Sequence, residues 1–307
     1  MPTRLVVLAA DASLAGVAMV WGATFPLGKL VLRHLGPFQY LALRFAAAAA
    51  LMVPLAWRER GRLRPAGVRA GVLAGVLLFA GAALQTVGLQ YTTAGNAGLI
   101  TGLNVLIIPL ILLVWQRRLP TGALAAGVGL AAAGLWLLLW QGERIGGGDA
   151  LVLGCAFALA LQTIVVGRVA SSVPAAPFAC VQVAVVALLA AGPGFGLEPR
   201  PAAVPAGAIA AILFMALTAT LGAYIAQAWA QRVASPTRAG LLFAIEPVAA
   251  VGFGVAWLGE TLGSRQAAGA GALLLGVVVG EAGRGRDVAP AGLRSGHELA
   301  TQDTGAN

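Results

Sequence analysis

Of the chain's 307 residues, 59% are hydrophobic and only 10% are charged, with a mean hydropathy of +0.88. A soluble domain carries roughly 25% charged residues, so a globule with a water-facing coat is excluded. The net charge of +9 does not point to nucleic acid, because the basic residues, nineteen of twenty of them Arg, fall in short clusters between apolar runs. That is the pattern of a positive-inside bias.

A bilayer is crossed by about 20 apolar residues, and ten such segments are expected, at 12–32, 37–57, 69–91, 95–116, 121–140, 149–167, 175–194, 203–231, 235–258 and 263–281. The fold class is therefore an all-α polytopic membrane protein with ten transmembrane helices. Arg4 precedes an apolar run that Asp11 interrupts, so the start does not read as a cleavable signal, and 1–11 is taken as a cytoplasmic N-terminus. Residues 282–307 lose all apolar periodicity and read as a disordered cytoplasmic tail. The loops are too short to hold a soluble domain.

Ten crossings put both termini on one side. That side collects Arg4, Arg58, Arg60, Arg62, Arg64, Arg69, Arg117, Arg118, Arg168, Arg232, Arg238, Arg284, Arg286 and Arg294, against Arg33, Arg144, Arg200 and Arg265 on the other. Fourteen against four makes the terminal side cytoplasmic.

Shifted on itself by 142 positions, the chain aligns 84–140 with 226–282 without a gap. Gln85 meets Gln227, Trp115 meets Trp257, and the "AGL" at 97–99 meets that at 239–241. The halves, 12–140 and 149–281, each hold five segments, and an odd number enters the membrane in opposite senses. Inverted repeats of this kind are a transporter architecture, with the site where the halves meet.

The stretches "WGATFPLGKL" (21–30), "PFQYLALRFAAAAALMVPLA" (37–56), "LQTVGLQYTTAGNAGLITGLNVLIIPLIL" (84–112) and "QAWAQRVASPTRAGLLFAIEPVAAVGFGVAWLGETLGSRQAAGAGALLLGVVV" (227–279) resemble the EamA-type transporters of the drug/metabolite transporter superfamily. The resemblance covers both halves. It implies ten helices in two inverted repeats, cytoplasmic termini, and export or exchange of small metabolites; cargoes across the superfamily range from amino acids to drugs and nucleotide sugars.

Polar residues within apolar runs mark the candidate site, since ionisable and amide side chains in a membrane face the bundle interior or water. Glu246 stands directly before Pro247, and the 142 shift pairs it with Asn104. Three readings remain for Glu246: binding a cationic group of the cargo, taking up a proton, or a structural ion pair with Lys29 or Arg44. Pro247 has no N–H and frees a carbonyl near Phe243. Thr220, Tyr224, Gln227 and Gln231, spaced 4, 3 and 4 apart, share one helical stripe. Gln85, Trp21, Thr24, Thr101 and Gln162 complete the expected lining, from segments 1, 3, 4, 6, 8 and 9.

Other motifs carry less. "GGGD" at 146–149 matches one fragment of the intramembrane aspartyl proteases, but no second carboxylate faces Asp149, which reads instead as a helix cap. Gly71/Gly75, Gly98/Gly102 and Gly276/Gly280 have the spacing of close helix packing. Cys155 and Cys180 read as buried thiols. With no nucleophile–histidine pair, metal-ligand cluster or Walker lysine, neither an enzyme nor a cofactor or metal is expected. The expectation is a secondary transporter of amino acids or related metabolites in a bacterial inner membrane, working by alternating access. Its partners are a small-molecule substrate, the lipid bilayer and, as candidate coupling ion, protons; monomer and homodimer stay open. Drug or cation efflux, phosphorylated-metabolite exchange, and a non-transporting receptor or scaffold are the alternatives.

Overall fold

The structure, a computed structural model, describes residues 3–116, 122–139, 146–201, 203–258 and 263–282. The tail expected over 282–307 lies, beyond its first residue, outside the described residues. All regular structure among the described residues is helical. The helices are α1 (Arg4–Val31), α2 (Pro37–Glu59), α3 (Pro65–Gly88), α4 (Ala94–Thr101), α5 (Asn104–Gln116), α6 (Gly122–Leu139), α7 (Gly147–Val169) and α8 (Ala175–Gly196). They continue with α9 (Ala206–Met215), a π-helical turn (Ala216–Gly222), α10 (Ala223–Ala230), α11 (Pro236–Phe243), α12 (Ile245–Leu258) and α13 (Ser264–Ala282).

Eight helical runs are long and apolar enough to cross a membrane, and two more, Gly122–Leu137 and Ala267–Gly280, are apolar but shorter. The eight fall in order on eight of the expected segments, and the two shorter runs fall within the expected fifth and tenth. Large apolar residues such as Val114, Leu188 and Val278 face outward, where lipid rather than water suits them. The chain is a multi-pass membrane protein.

α1 starts at Arg4, eight residues before the expected segment. Thr3 caps it by accepting from the Val6 N–H. Asp11 does not interrupt it because Arg238 of α11 donates to its carboxylate at 2.7 Å, with both side chains largely buried. Arg238, expected among the loop arginines, is thus a packing residue that ties α11 to α1.

The repeat shows in local detail. Thr93 caps α4 by accepting from the Asn96 N–H at 3.0 Å, and Ser235 caps α11 by accepting from the Arg238 N–H at 3.3 Å. Both caps, and both helices, are displaced by 142 residues. Expected segments four and nine are each broken, between α4 and α5 and between α11 and α12, at corresponding points.

Three contacts between the halves position the interior. α2 packs along α8, α3 along α7, and α1 against α12. α6 and α13 pair away from these, and there glycine is required: a Cβ on Gly134 would lie 2.5 Å from the Leu273 backbone nitrogen, and one on Gly276 2.6 Å from that of Ala131. Gly71 and Gly75 similarly admit Val181 and Val185 of α8, and Gly98 admits Ala250 of α12.

Candidate functional site

The two helix breaks meet. Pro247 gives no N–H to the turn before it, and the helix parts at Ala244. The facing break at Gly102–Leu103 has no proline; Gly102 instead packs against the Pro247 ring, where a Cβ would come 2.5 Å from its Cγ. Asn104 and Glu246 stand just after the breaks, 4% and 5% exposed, and both line one cavity. The Asn104 Oδ1 is buried without a hydrogen-bond partner. A buried acceptor left open in this way is costly unless something supplies a donor.

The cavity and its open mouth together enclose about 650 Å³ of space between atoms. Both halves wall it. α1 gives Trp21 and Thr24, α3 gives Gln85 and Thr86, α7 gives Gln162 and Thr163, α10 gives Tyr224, and α11 gives Phe243. α2, which the sequence left out of the wall, contributes Leu41, Arg44 and Phe45.

One side of the cavity is aromatic. The Trp21 ring lies 5.6 Å from Tyr224 and 5.1 Å from Phe243, and Phe45 lies 6.3 Å from Tyr224, all tilted. Trp21 is fixed by donating from Nε1 to the Ala219 carbonyl at 2.9 Å, and Thr24 donates back to the Trp21 carbonyl. Such rings offer flat apolar surface with some polar reach.

The remaining expected residues sit around or behind these walls. Gln85 lines the cavity and donates to Thr101 at 3.1 Å, but Thr101 lies behind it. Gln227 is also behind the wall, 1% exposed, exchanging hydrogen bonds with Gln162 at 3.2 and 3.4 Å. Gln162 further donates to Gln182 Oε1 at 2.9 Å, and Gln231 donates to the Thr163 carbonyl at 3.0 Å. These amides form a polar seam that links α7, α8 and α10. The stripe on expected segment eight is therefore buried throughout, although only Tyr224 reaches the open space.

Glu246 has no basic group within ion-pair distance among the described residues, so the ion pair with Lys29 or Arg44, one of the three readings open for it, is not the arrangement seen. Arg44 is occupied with Tyr40, Thr220 and Ala219. Lys29 is in the last turn of α1, outside the cavity lining. Asp149 sits in the first turn of α7, accepting from the Gly146 N–H at 2.9 Å and from Thr92. Cys155 is buried and Cys180 half-buried, both as free thiols.

Sequence reasoning passed over Gln182 and Phe45, and took Phe243 only as the neighbour of a freed carbonyl. Gln182 alone carried a signal, as the single polar residue in "CVQVAVV".

A membrane-embedded helical bundle with a polar cavity shared by two homologous halves defines the class of a small-molecule transporter. The chain belongs to the EamA-like transporter family, which matches twice, at residues 8–140 and 146–279. An uncharacterized transporter from Archaeoglobus fulgidus is 32% identical over 273 residues, covering 89% of this chain and 85% of that protein. The uncharacterized transporter YyaM of Bacillus subtilis is 33% identical over 150 residues, covering 45% of this chain and 49% of its own. A crystal structure with 18% identity superposes with a TM-score of 0.73 over 88% of this chain and 96% of that one, a likeness of fold.

Proposed function

We propose that the chain is a secondary transporter that exports or exchanges amino acids or related small metabolites by alternating access. Supporting this is one observation above all: a cavity walled by both family repeats, with the repeat-related residues Asn104 and Glu246 in its lining. Ten spans in two inverted five-helix halves, 12–140 and 149–281, fit the order of the apolar runs. The contacts fit as well, because exchanging the halves maps α2·α8 and α6·α13 onto themselves and α3·α7 onto α10·α1. On this reading the termini are cytoplasmic and the membrane is a bacterial inner membrane.

Glu246 and the open Asn104 oxygen are acceptors for an ammonium or amide group of the cargo, and the Trp21, Tyr224 and Phe243 rings face its side chain. Gln85 and Gln162, on the neighbouring helices α3 and α7, add donors and acceptors. Alternating access requires the halves to rock, and the Gln162–Gln227 pair, both members in the second half, moves with that half as a unit. No nucleotide-binding element is evident in the sequence, so a gradient drives transport, and Glu246 is the group that a proton gradient would address.

The test is uptake of radiolabelled amino acids and metabolites into proteoliposomes, with and without an imposed pH gradient. Wild type is expected to move at least one amino acid. Glu246→Gln is expected either to lose the response to the gradient while keeping exchange, which makes the carboxylate the proton site, or to lose transport while folded, which makes it a cargo contact. Full activity of Glu246→Gln under both conditions would remove Glu246 from the mechanism. A wild type inactive on the whole panel would favour drug efflux or a non-transporting receptor.

A further inference from the structure

Among the described residues, Arg44 is the one buried cation that reaches the cavity, at 9% exposure. A guanidinium taken out of water needs its charge compensated by its surroundings. They supply only neutral groups. Nε donates to Thr220 Oγ1 at 2.8 Å, Nη1 to the Tyr40 hydroxyl at 2.9 Å, and Nη2 to the Ala219 carbonyl at 3.3 Å. The Phe45 and Tyr40 rings lie 5.4 and 5.9 Å from its central carbon. No carboxylate among the described residues stands within ion-pair distance of it.

The three acceptors are themselves locked. Thr220 gives its hydroxyl proton to the Met215 carbonyl at 3.1 Å, and Tyr40 directs its own at the Met215 sulfur at 3.3 Å. Each hydroxyl can therefore present only lone pairs to Arg44. Ala219 and Thr220 belong to the π-helical turn Ala216–Gly222, and the Ala219 carbonyl takes a second donor from Trp21. A π-turn inside an α-helix is uncommon and concentrates at functional sites. Here it serves to hold a guanidinium at a fixed attitude.

A guanidinium has five N–H donors. Three are used, one on each nitrogen, and one on each terminal nitrogen is left. A buried cation that lines a cavity and keeps two donors beyond its three protein hydrogen bonds can take a planar anion.

We propose that Arg44 forms an anion subsite of the cavity. It receives the carboxylate of the cargo on its two open N–H groups, while Thr220 acts as its positioning residue through the π-turn. The inference rests on the transport reading for the identity of the cargo, though not for the existence of the subsite. A carboxylate on the cargo and a free inorganic anion such as chloride share the same chemistry, and the experiment separates them.

The thermal stability of the purified full chain in detergent would be titrated with leucine, phenylalanine and glutamine and with the carboxamide of each. The titrations would run in chloride and in gluconate buffer. The expected result is that at least one acid stabilises the protein and that its amide binds at least tenfold more weakly. Arg44→Lys and Thr220→Val should weaken the acid at least tenfold while leaving the amide unchanged, and Thr220→Ser should restore the acid. If Arg44→Lys does not fold, the two Thr220 variants carry the comparison, since a merely structural role would move acid and amide alike.

Equal binding of acid and amide, or equal loss of both in Thr220→Val, overturns the proposal, as does a wild type stabilised by neither acids nor chloride. Stabilisation by chloride alone, abolished in Arg44→Lys, keeps the subsite and assigns it to an inorganic anion. Acids that bind through Arg44 but are never moved across proteoliposomes refute transport and leave the subsite standing.

Discussion

Replacing Asp11 by Ala removes the anionic half of the ion pair that joins α1 to α11. The pair is short, 2.7 Å, and its side chains are 8% and 13% exposed, so solvent screens it weakly. Breaking a buried pair from one side costs up to about 3–5 kcal/mol. The double variant should lose less than the sum of the singles. The exposed pair Arg62–Glu59, at 3.7 Å with side chains 76% and 41% exposed, is the control, and Glu59→Ala should cost no more than about 1 kcal/mol. Unfolding in mixed detergent–SDS micelles, followed by tryptophan fluorescence, measures all of these in one cycle. An Asp11→Ala variant within 1 kcal/mol of wild type, or single losses that simply add, would refute the view that the pair fixes α1 to α11.

Two glycines on α6 make opposite predictions. Gly134→Ala forces a Cβ to 2.5 Å from the Leu273 backbone and should destabilise by about 1–3 kcal/mol, whereas Gly129→Ala meets nothing within 4 Å and should stabilise by about 0.5–1 kcal/mol. The same unfolding assay reads both. Gly22→Ala would set a Cβ 2.6 Å from that of Ala249 and 2.8 Å from the Glu246 carbonyl; it should push α12 from α1 and reduce proteoliposome transport more than it reduces expression. Glu198 accepts from the Phe38 and Gln39 N–H groups at 2.9 and 2.8 Å, capping α2 from the far half. Glu198→Ala should cost about 0.5–2 kcal/mol in the unfolding assay, with Glu198→Gln intermediate.

What the sequence disclosed follows from how far each signal reaches along the chain. The repeat was legible because the 142 shift compares residues directly, and it carries through to the matched caps at Thr93 and Ser235. The break before Glu246 was legible because Pro247 is a local cause. Its counterpart at Gly102 was not, since Gly102 parts from its helix against Pro247 of the other half, a contact that spacing does not encode. The π-turn in "ALTATLG" has no local mark either: its turn is fitted to Arg44 and Trp21, which lie 175 and 198 residues from Ala219. Asp11 looked like an interruption only because Arg238 is 227 positions away.

The same reach decides which polar residues form a site. Helical spacing turned Thr220, Tyr224, Gln227 and Gln231 inward together, and all four are buried. Whether an inward side chain is open to cargo depends on what meets it from another helix. Gln227 meets Gln162 and is sealed, Thr220 meets Arg44 and becomes its support, and Tyr224, facing aromatic rings, stays on the cavity. Asn104 meets no donor for its oxygen, and that unmet acceptor beside Glu246 is why these two, rather than the longer glutamine seam, are the better place to seek the cargo.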